Sequence, residues 1–287
     1  MPSGLSPGVL YVVATPIGNL EDFTFRALRT LKEVDLIAAE DTRRTAKLLA
    51  HYGISKPVVS LREHNESRET PRLVDKLLSG TRIALVSDAG TPAIADPGAR
   101  LVRAALARGV TVSPIPGPSA VTAALSVSGL LSSEFVFVGF PPATGAERRR
   151  WFERVSQEPR AVVLFEAPHR IERTLADLDL FTVKRHKSIY REITKINEEL
   201  VTTPNFTVAG EFTVVVAPEE EILEAPQNEI AAETRRRLIG RTIESGLFDD
   251  SELPTIVAAL AGCSAHSAAK LIKKHRIMVK RQTSSPT

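Results

Sequence analysis

Cysteine, aromatic residues and long apolar runs are scarce in this sequence. The single cysteine, Cys263, can form no internal disulfide, and the six scattered histidines have no metal-binding spacing. No apolar run reaches the roughly 20 residues that cross a bilayer, and Met1–Gly8 lacks the layout of a signal peptide. We therefore expect a reduced, cytoplasmic protein with neither a disulfide framework nor a metal centre.

Several common catalytic signatures are missing as well. No two glycines are separated by a single residue, which removes the G-x-G-x-x-G dinucleotide fingerprint, and no Gly-Lys-Ser or Gly-Lys-Thr marks a P-loop. No H-E-x-x-H pair occurs, and Val121 breaks a G-x-S-x-G elbow at its last position. These absences disfavour NAD, Walker-type ATP binding, zinc catalysis and serine-hydrolase chemistry.

Short apolar runs alternate with amphipathic helical stretches through the first 115 residues. Such alternation predicts a mostly parallel sheet with helices on both faces, here in an N-terminal α/β domain over residues 8–117. The predicted strands are Gly8–Ala14, Val34–Ala39, Pro57–Leu61, Arg82–Ser87 and Val110–Ile115.

Three prolines within Pro114–Pro118 indicate a hinge, after which a second α/β domain is predicted over residues 118–218. The remainder, residues 225–281, is predicted to be a helical extension that ends in a basic tail from Lys270 to Arg281. The strands predicted for the second domain are Phe135–Gly139, Ala161–Phe165, Lys187–Glu192 and Phe212–Ala217.

Three loops rich in glycine and proline directly follow predicted strands of the first domain. They are Thr15–Asp22, Ser87–Pro92 with its continuation Asp96–Gly98, and Pro116–Ala120. Ligands of open parallel sheets bind beyond the carboxyl ends of the strands, and glycine lets the backbone approach a ligand closely. Three such loops at one sheet edge predict a shared binding cleft, although each alone could be an ordinary turn.

Polar strings follow other strands: Glu40–Arg43 (EDTR), Glu63–Glu66 (EHNE), Pro168–Arg170 (PHR) and Arg191–Lys195 (REITK). Together with TPIGNLED, SDAGTP, DPG and PGPS in the three loops, they occur in order between residues 8 and 218. In these strings the chain resembles the tetrapyrrole-methylase superfamily, the class III S-adenosylmethionine methyltransferases. EDTR, EHNE and SDAGTP are similar to its branch that methylates bacterial ribosomal RNA.

The resemblance implies a second domain with a mixed sheet, S-adenosylmethionine in the cleft between the two domains, and a homodimer. It implies methyl transfer to the ribose 2′-hydroxyl of a decoding-centre cytidine in 16S ribosomal RNA, within the small ribosomal subunit or its precursor. Carried onto this sequence, the cofactor contacts would be Pro16, Ile17, Asp88, Gly90, Thr91, Ser119, Ala120, Phe165, Glu166 and Ala217.

A ribose hydroxyl is a weak nucleophile, so a general base or a nearby cation should assist the transfer. The candidates are Glu63, Asp41, His64 and Lys195, although Asp41 also suits a helix cap. Arginines near the expected mouth are candidates for RNA contact: Arg43, Arg44, Arg62 and Arg170. Two other functions stay open, a methyltransferase of tetrapyrrole-like small molecules and a non-catalytic nucleotide- or RNA-binding regulator.

Overall fold

A computed structural model describes residues 7–131, 133–201, 206–218, 239, 243, 249–261 and 264–283, without the side chains of 259, 260, 274 and 277–283. None of the described helices is both long enough and apolar enough to cross a membrane. Residues 1–6 lie outside the described residues. So does most of the predicted helical extension between residues 225 and 248.

The first sheet contains five strands in the order β3-β2-β4-β1-β5, and all of its neighbours are parallel. Its strands are β1 (Val9–Val13), β2 (Leu36–Ala39), β3 (Val58–Ser60), β4 (Ile83–Val86) and β5 (Thr111–Ile115). Its helices are α1 (Phe25–Glu33), α2 (Thr42–His51), α3 (Glu66–Leu78) and α4 (Ala99–Ala107), and a short 3₁₀ turn covers Leu20–Asp22.

The central strands β2 and β4 are apolar throughout because both faces of the sheet are covered. Leu36 and Ala38 of β2 pack with residues of α3 and α4, whereas Ile37 and Ala39 pack with residues of α1 and α2. The two-residue alternation of a strand thus divides one apolar run between two cores. The parallel sheet with helices on both faces confirms the fold predicted for the first domain.

The edge strand β5 contains Pro114, which pairs with Val12 of β1. The carbonyl of Ile115 accepts a hydrogen bond from the N–H of Ala14, in the loop after β1. The backbone polar groups of Ile115 therefore point toward β1, and those of Pro114 point toward the open edge of the sheet. Proline is tolerated there because no sheet partner needs its missing N–H. The Pro114 carbonyl accepts a hydrogen bond from the Arg26 guanidinium.

The second sheet has the order β6-β7-β10-β8-β9. Its strands are β6 (Phe135–Phe137), β7 (Ala161–Glu166), β8 (Lys187–Arg191), β9 (Glu199–Val201) and β10 (Phe212–Val216). β6 is parallel to β7, whereas β10 is antiparallel to both β7 and β8, which confirms the predicted mixed sheet. The accompanying helices are α5 (Ala120–Ser126), α6 (Gly145–Gln157) and α7 (Pro168–Phe181).

Two elements of the second sheet region were absent from the sequence prediction. Helix α5 follows a proline-rich segment and consists mainly of small residues, and β9 is only three residues long. Both sheets belong to one compact unit, Met1–Leu200 with Ala209–Glu221. The domain boundaries predicted near residues 117 and 218 therefore remain predictions.

A separate compact unit, Val201–Val208 with Ile222–Thr287, contains the helices α8 (Leu253–Ala261) and α9 (Ala265–Thr283). Leu253 and Val257 of α8 pack against Ala268 and Ile272 of α9. A helical extension was predicted here, and α9 includes the whole predicted basic tail from Lys270 to Arg281.

Candidate active site

A cavity of about 370 Å³ opens at the carboxyl edge of the first sheet and extends to the second sheet. It is lined by Ile17, residues 89–91, 94–96 and 119–121, Phe140, residues 165–168, Ile193 and residues 211–213. Among the cofactor contacts expected from the sequence, those that line it are Ile17, Gly90, Thr91, Ser119, Ala120, Phe165 and Glu166. Both sheets thus contribute residues to one open cavity.

The loops after β1 and β4 are joined to each other at the edge of this cavity. Thr15 and Gly90 exchange two backbone hydrogen bonds, each 2.9 Å long. Gly90 adopts a φ of 78°, which glycine tolerates without a steric penalty. Pro16 is buried behind this junction and does not line the cavity, whereas Ile17, the next residue, does.

Ala217 lies far from the cavity, at the opposite end of β10. Phe212 is paired with Glu166 at the cavity, and β10 then runs antiparallel to β7 away from it. At about 3.3 Å per residue, Ala217 is displaced by roughly 15 Å. Its carbonyl instead accepts a short hydrogen bond from the buried Arg185. The structure therefore does not bring this expected cofactor contact to the others.

The loop between β4 and α4 has a constrained backbone where it borders the cavity. Ala93 and Ala95 adopt positive φ angles of 66° and 64°, which side chains with a Cβ rarely adopt. Gly98 has a φ of 126°, and a Cβ there would lie 2.6 Å from Leu85. Such strain persists only where the surroundings hold the backbone in place.

Glu66 of the EHNE string holds the end of that loop. Its buried carboxylate accepts hydrogen bonds from the backbone N–H groups of Gly98, at 2.9 Å, and Arg100, at 3.0 Å. These N–H groups belong to the first turn of α4, which has no side-chain cap of its own. Glu66 thus fixes the loop from helix α3.

Replacing Glu66 with alanine should lower the free energy of unfolding by about 2 kcal/mol, because buried donors lose a charged acceptor. Urea denaturation measures the change. Glu63→Ala is the matched control, since Glu63 lies exposed in the preceding turn and its loss should cost less than about 0.5 kcal/mol. Equal losses in the two variants would show that the Glu66 cap contributes nothing specific.

Asp96, in the same loop, places its carboxyl group against the cavity. Burial raises the pKa of this group to about 7; the negative charges of Glu40 and Asp88 add to the rise, and a hydrogen bond with Ser87 opposes it. Burial likewise raises the pKa of Glu40. Asp96 belongs to the DPG string of the sequence and was assigned no role there. Its position in a loop predicted to bind the cofactor could have identified it as a candidate contact.

Asp88 is directed toward the end of β2 and does not line the cavity. Its carboxylate accepts a hydrogen bond from the backbone N–H of Asp41 at 2.9 Å and lies 3.4 Å from the Arg44 guanidinium. Its own N–H donates to Glu40. Asp88 therefore joins the EDTR segment to β4. Within the described residues, no cluster of His, Cys, Asp or Glu is arranged to hold a metal ion.

Asp41 caps helix α2 by accepting a hydrogen bond from the Arg43 N–H at 2.8 Å. Hydrogen bonds from the Arg43 side chain and backbone, with the charge of Arg62 nearby, hold the pKa of Asp41 far below its usual range. A carboxylate this acidic is a poor proton acceptor. The guanidinium groups of Arg43 and Arg44 remain largely exposed, and that of Arg62 is partly exposed.

Glu63 and His64 lie exposed in the turn between β3 and α3 and do not line the cavity. β3 is an edge strand separated from β4 by β2, so its end lies about 10 Å from that of β4. The structure therefore places these two catalytic candidates on the surface, apart from the cavity.

Lys195 connects the second sheet to the first loop. Burial lowers its pKa, but hydrogen bonds to Glu192, at 2.8 Å, and Glu211, at 3.0 Å, outweigh burial and raise the pKa overall. Its aliphatic chain covers Gly18, where a Cβ would overlap it. Lys195 is thus a protonated cation beside the cavity-lining Glu211 and cannot serve as a base.

Glu166 is a buried carboxylate that lines the cavity from the end of β7. It pairs with Arg170 at 2.6 Å and accepts a hydrogen bond from Thr174 at 2.6 Å. The Arg170 side chain is mostly buried in this pair, so the structure does not present it as an open RNA contact. In the structure Arg170 binds Glu166 of β7, and its role in RNA contact stays a prediction.

Comparison with known proteins gives the family. A model of the "Tetrapyrrole (Corrin/Porphyrin) Methylases" matches residues 9–209. The chain belongs to this methylase family. It is 48% identical over 226 residues to "Ribosomal RNA small subunit methyltransferase I" of Halalkalibacterium halodurans, covering 76% of this chain and 78% of that protein. The like-named protein of Pseudomonas aeruginosa is 49% identical over 201 residues, 70% of this chain and 71% of that one.

A solved structure shares the fold of this methylase. The "methyltransferase CobJ" superposes with a TM-score of 0.58 at 18% identity, covering 77% of this chain and 98% of that one. Membership of the methylase family and the methyltransferase relatives make S-adenosylmethionine the cofactor of the chain. The cavity suits it, since Ile17 and Phe165 offer apolar surface and Asp96 offers negative charge to a sulfonium cation without forming an ion pair with any described residue.

Proposed function

We propose that this methyltransferase modifies the ribose 2′-hydroxyl of a cytidine in the decoding centre of 16S ribosomal RNA. The observation that carries the proposal is the 48% identity over 226 residues to a ribosomal RNA small subunit methyltransferase. The EDTR string and the residue after it support the same substrate class, because they place the exposed Arg43 and Arg44 at the carboxyl end of the first sheet, where the cavity opens.

S-adenosylmethionine supplies the methyl group as a sulfonium, so the protein chiefly holds and orients the reactants. The cofactor would be held by residues that line the cavity: Asp96, Ile17, Gly90, Thr91, Ser119, Ala120, Phe165 and Glu166. The ribose hydroxyl would have to give up its proton to a residue of the chain or to solvent when it is methylated. Glu63 and His64 remain candidates to accept it only if the RNA reaches both the surface turn and the cavity.

Arg43, Arg44 and Arg62 would contact phosphates of the RNA. Phosphate contacts release counterions, so binding should weaken steeply as salt is raised. A homodimer stays part of the proposal, and light scattering of the purified chain tests it.

The deciding experiment incubates the protein with purified small ribosomal subunits and S-adenosylmethionine labelled in its methyl group. We expect label in RNA, within a dinucleotide that survives alkaline hydrolysis, because a 2′-O-methyl group blocks cleavage at its own position. Label in a mononucleotide would indicate methylation of a base and would contradict ribose methylation. Label only in an added tetrapyrrole would favour the small-molecule function, and no transfer at all would favour the regulator.

A further inference from the structure

The aromatic ring of Phe140 stands at the outer rim of the cavity. Phe140 lines the cavity and yet is 49% exposed. Phe165 lies further in and contacts Phe137 at a ring-centroid distance of 4.8 Å and Phe140 at 5.7 Å. The three rings therefore form a row that begins in the core of the second sheet and ends at the cavity mouth.

The loop that carries Phe140 is held by three arginines. The carbonyls of the next three residues, Pro141, Pro142 and Ala143, each accept a hydrogen bond from a different guanidinium. The donors are Arg170 at 3.1 Å, Arg148 at 2.9 Å and Arg173 at 3.4 Å, respectively. Two consecutive prolines further restrict the backbone. An exposed ring is thus kept from folding back onto the protein.

The size of the cavity separates the cofactor from the substrate. A volume of about 370 Å³ is near the lower end of what one drug-sized ligand fills. A cofactor that occupies this space would leave the open rim as the place where a nucleotide is presented. An RNA base is flat and must leave its stack before its ribose can enter a protein pocket, and aromatic side chains commonly receive such bases.

We propose that Phe140 is the stacking surface for the base of the nucleotide whose ribose is methylated. This inference rests on the proposed RNA substrate and adds a residue that contacts it. The arginines that hold the loop act as positioning residues, because they keep the ring in place before the RNA arrives and so reduce the entropy lost on binding.

Steady-state kinetics with purified small ribosomal subunits test the proposal. Phe140→Ala should raise the KM for subunits by about 5- to 150-fold, the range expected for loss of base–aromatic stacking. Phe140→Trp should keep a KM near that of the wild type. Calorimetry should show S-adenosylmethionine affinity within about twofold of the wild type, because stacking takes place outside the cofactor's part of the cavity.

Phe135→Ala is the matched control, since Phe135 is also a half-exposed aromatic, at 44%, but lies in β6 and does not line the cavity. Its KM should not change. An unchanged KM for Phe140→Ala would overturn the proposal. A loss of cofactor affinity in that variant would overturn it too, because the ring would then belong to the cofactor site.

A second measurement separates this proposal from the function on which it rests. The chain has one tryptophan, Trp151, which is buried, so Phe140→Trp adds a fluorophore at the rim. Titration with a short oligocytidylate should quench the added emission, obtained by subtracting the wild-type signal. Quenching without methylation of subunits would retain the stacking surface and reject the 2′-O-methylation. Methylation of subunits without quenching would reject the stacking surface and retain the 2′-O-methylation.

Discussion

Replacing Asp96 with asparagine is expected to weaken S-adenosylmethionine binding by roughly tenfold to a hundredfold, which corresponds to about 1.4–2.8 kcal/mol. The cofactor is a sulfonium cation, and Asp96 offers the cavity a carboxyl group that no described cation neutralises. Asparagine keeps the size and polarity of the side chain but removes its charge. Isothermal titration calorimetry at pH 7.5 measures the difference.

The same interaction gives wild-type binding a characteristic pH dependence. Because burial and the neighbouring Glu40 raise the pKa of Asp96 to about 7, the group is largely protonated at pH 6 in the free protein. A cation prefers the ionised form, so affinity should increase from pH 6 to pH 7.5 and binding should release protons. In Asp96→Asn this increase should be much smaller, although Glu40, whose pKa is also raised, can leave a residual slope.

Asp88→Asn is the informative companion variant. The sequence resemblance assigns the cofactor contact to Asp88, whereas the structure directs that side chain to Asp41 and Arg44. We expect Asp88→Asn to bind the cofactor nearly as tightly as the wild type. The reverse result, with Asp88→Asn weakened and Asp96→Asn unaffected, would support the original assignment.

Stability of the free protein distinguishes a lost contact from a damaged fold. A carboxyl group whose pKa is raised by folding destabilises the native state once it ionises in the unfolded chain, so stability declines as pH rises from the usual carboxyl pKa of about 4 to about 7. Without cofactor, Asp96→Asn should therefore unfold at a temperature no lower than the wild type at pH 8. A clearly lower melting temperature would show that Asp96 supports the loop.

Arg148→Met should lower the free energy of unfolding by about 3 kcal/mol. The Arg148 side chain is only 3% exposed. It donates to Asp177 at 2.9 Å, to Thr174 at 2.8 Å and to the Pro142 carbonyl at 2.9 Å. Methionine fills much of the space but leaves these acceptors without their donor. Urea denaturation followed by circular dichroism measures the loss.

The adjacent Arg149 provides the control, because its side chain is 77% exposed and pairs with Glu153 one helical turn away. Arg149→Met should change the unfolding free energy by less than about 0.5 kcal/mol, as exposed ion pairs contribute little. Similar losses in the two variants would indicate a general effect of positive charge on helix α6 and would contradict the buried network.

Much of the architecture is predictable because strand burial leaves a local signal. Runs such as Ile83–Val86 are apolar on both faces because both faces of the sheet are covered, so the positions of these strands can be predicted from the sequence. Loops that follow such strands must share one sheet edge, which explains why Ile17, Gly90 and Ser119 come together at the cavity as expected.

The choice among neighbouring polar residues is not predictable in this way. Asp88 and Asp96 belong to one loop, and the strained turns at Ala93 and Ala95 decide which carboxyl group faces the cavity. Arg170 follows a strand like the other candidates, but the buried Glu166 draws it inward. The distant position of Ala217 depends on the direction of β10, which only strand pairing reveals. Such outcomes depend on contacts between residues far apart in sequence.

Pro114 also determines what the open edge of the first sheet can bind. A strand from another molecule that approached β5 would meet a nitrogen without a hydrogen to donate, and a carbonyl already engaged by Arg26. Strand addition at that point would forgo two ladder hydrogen bonds, which discourages edge-to-edge aggregation. Pro114 thus protects the folded chain against polymerising through the open edge of the first sheet.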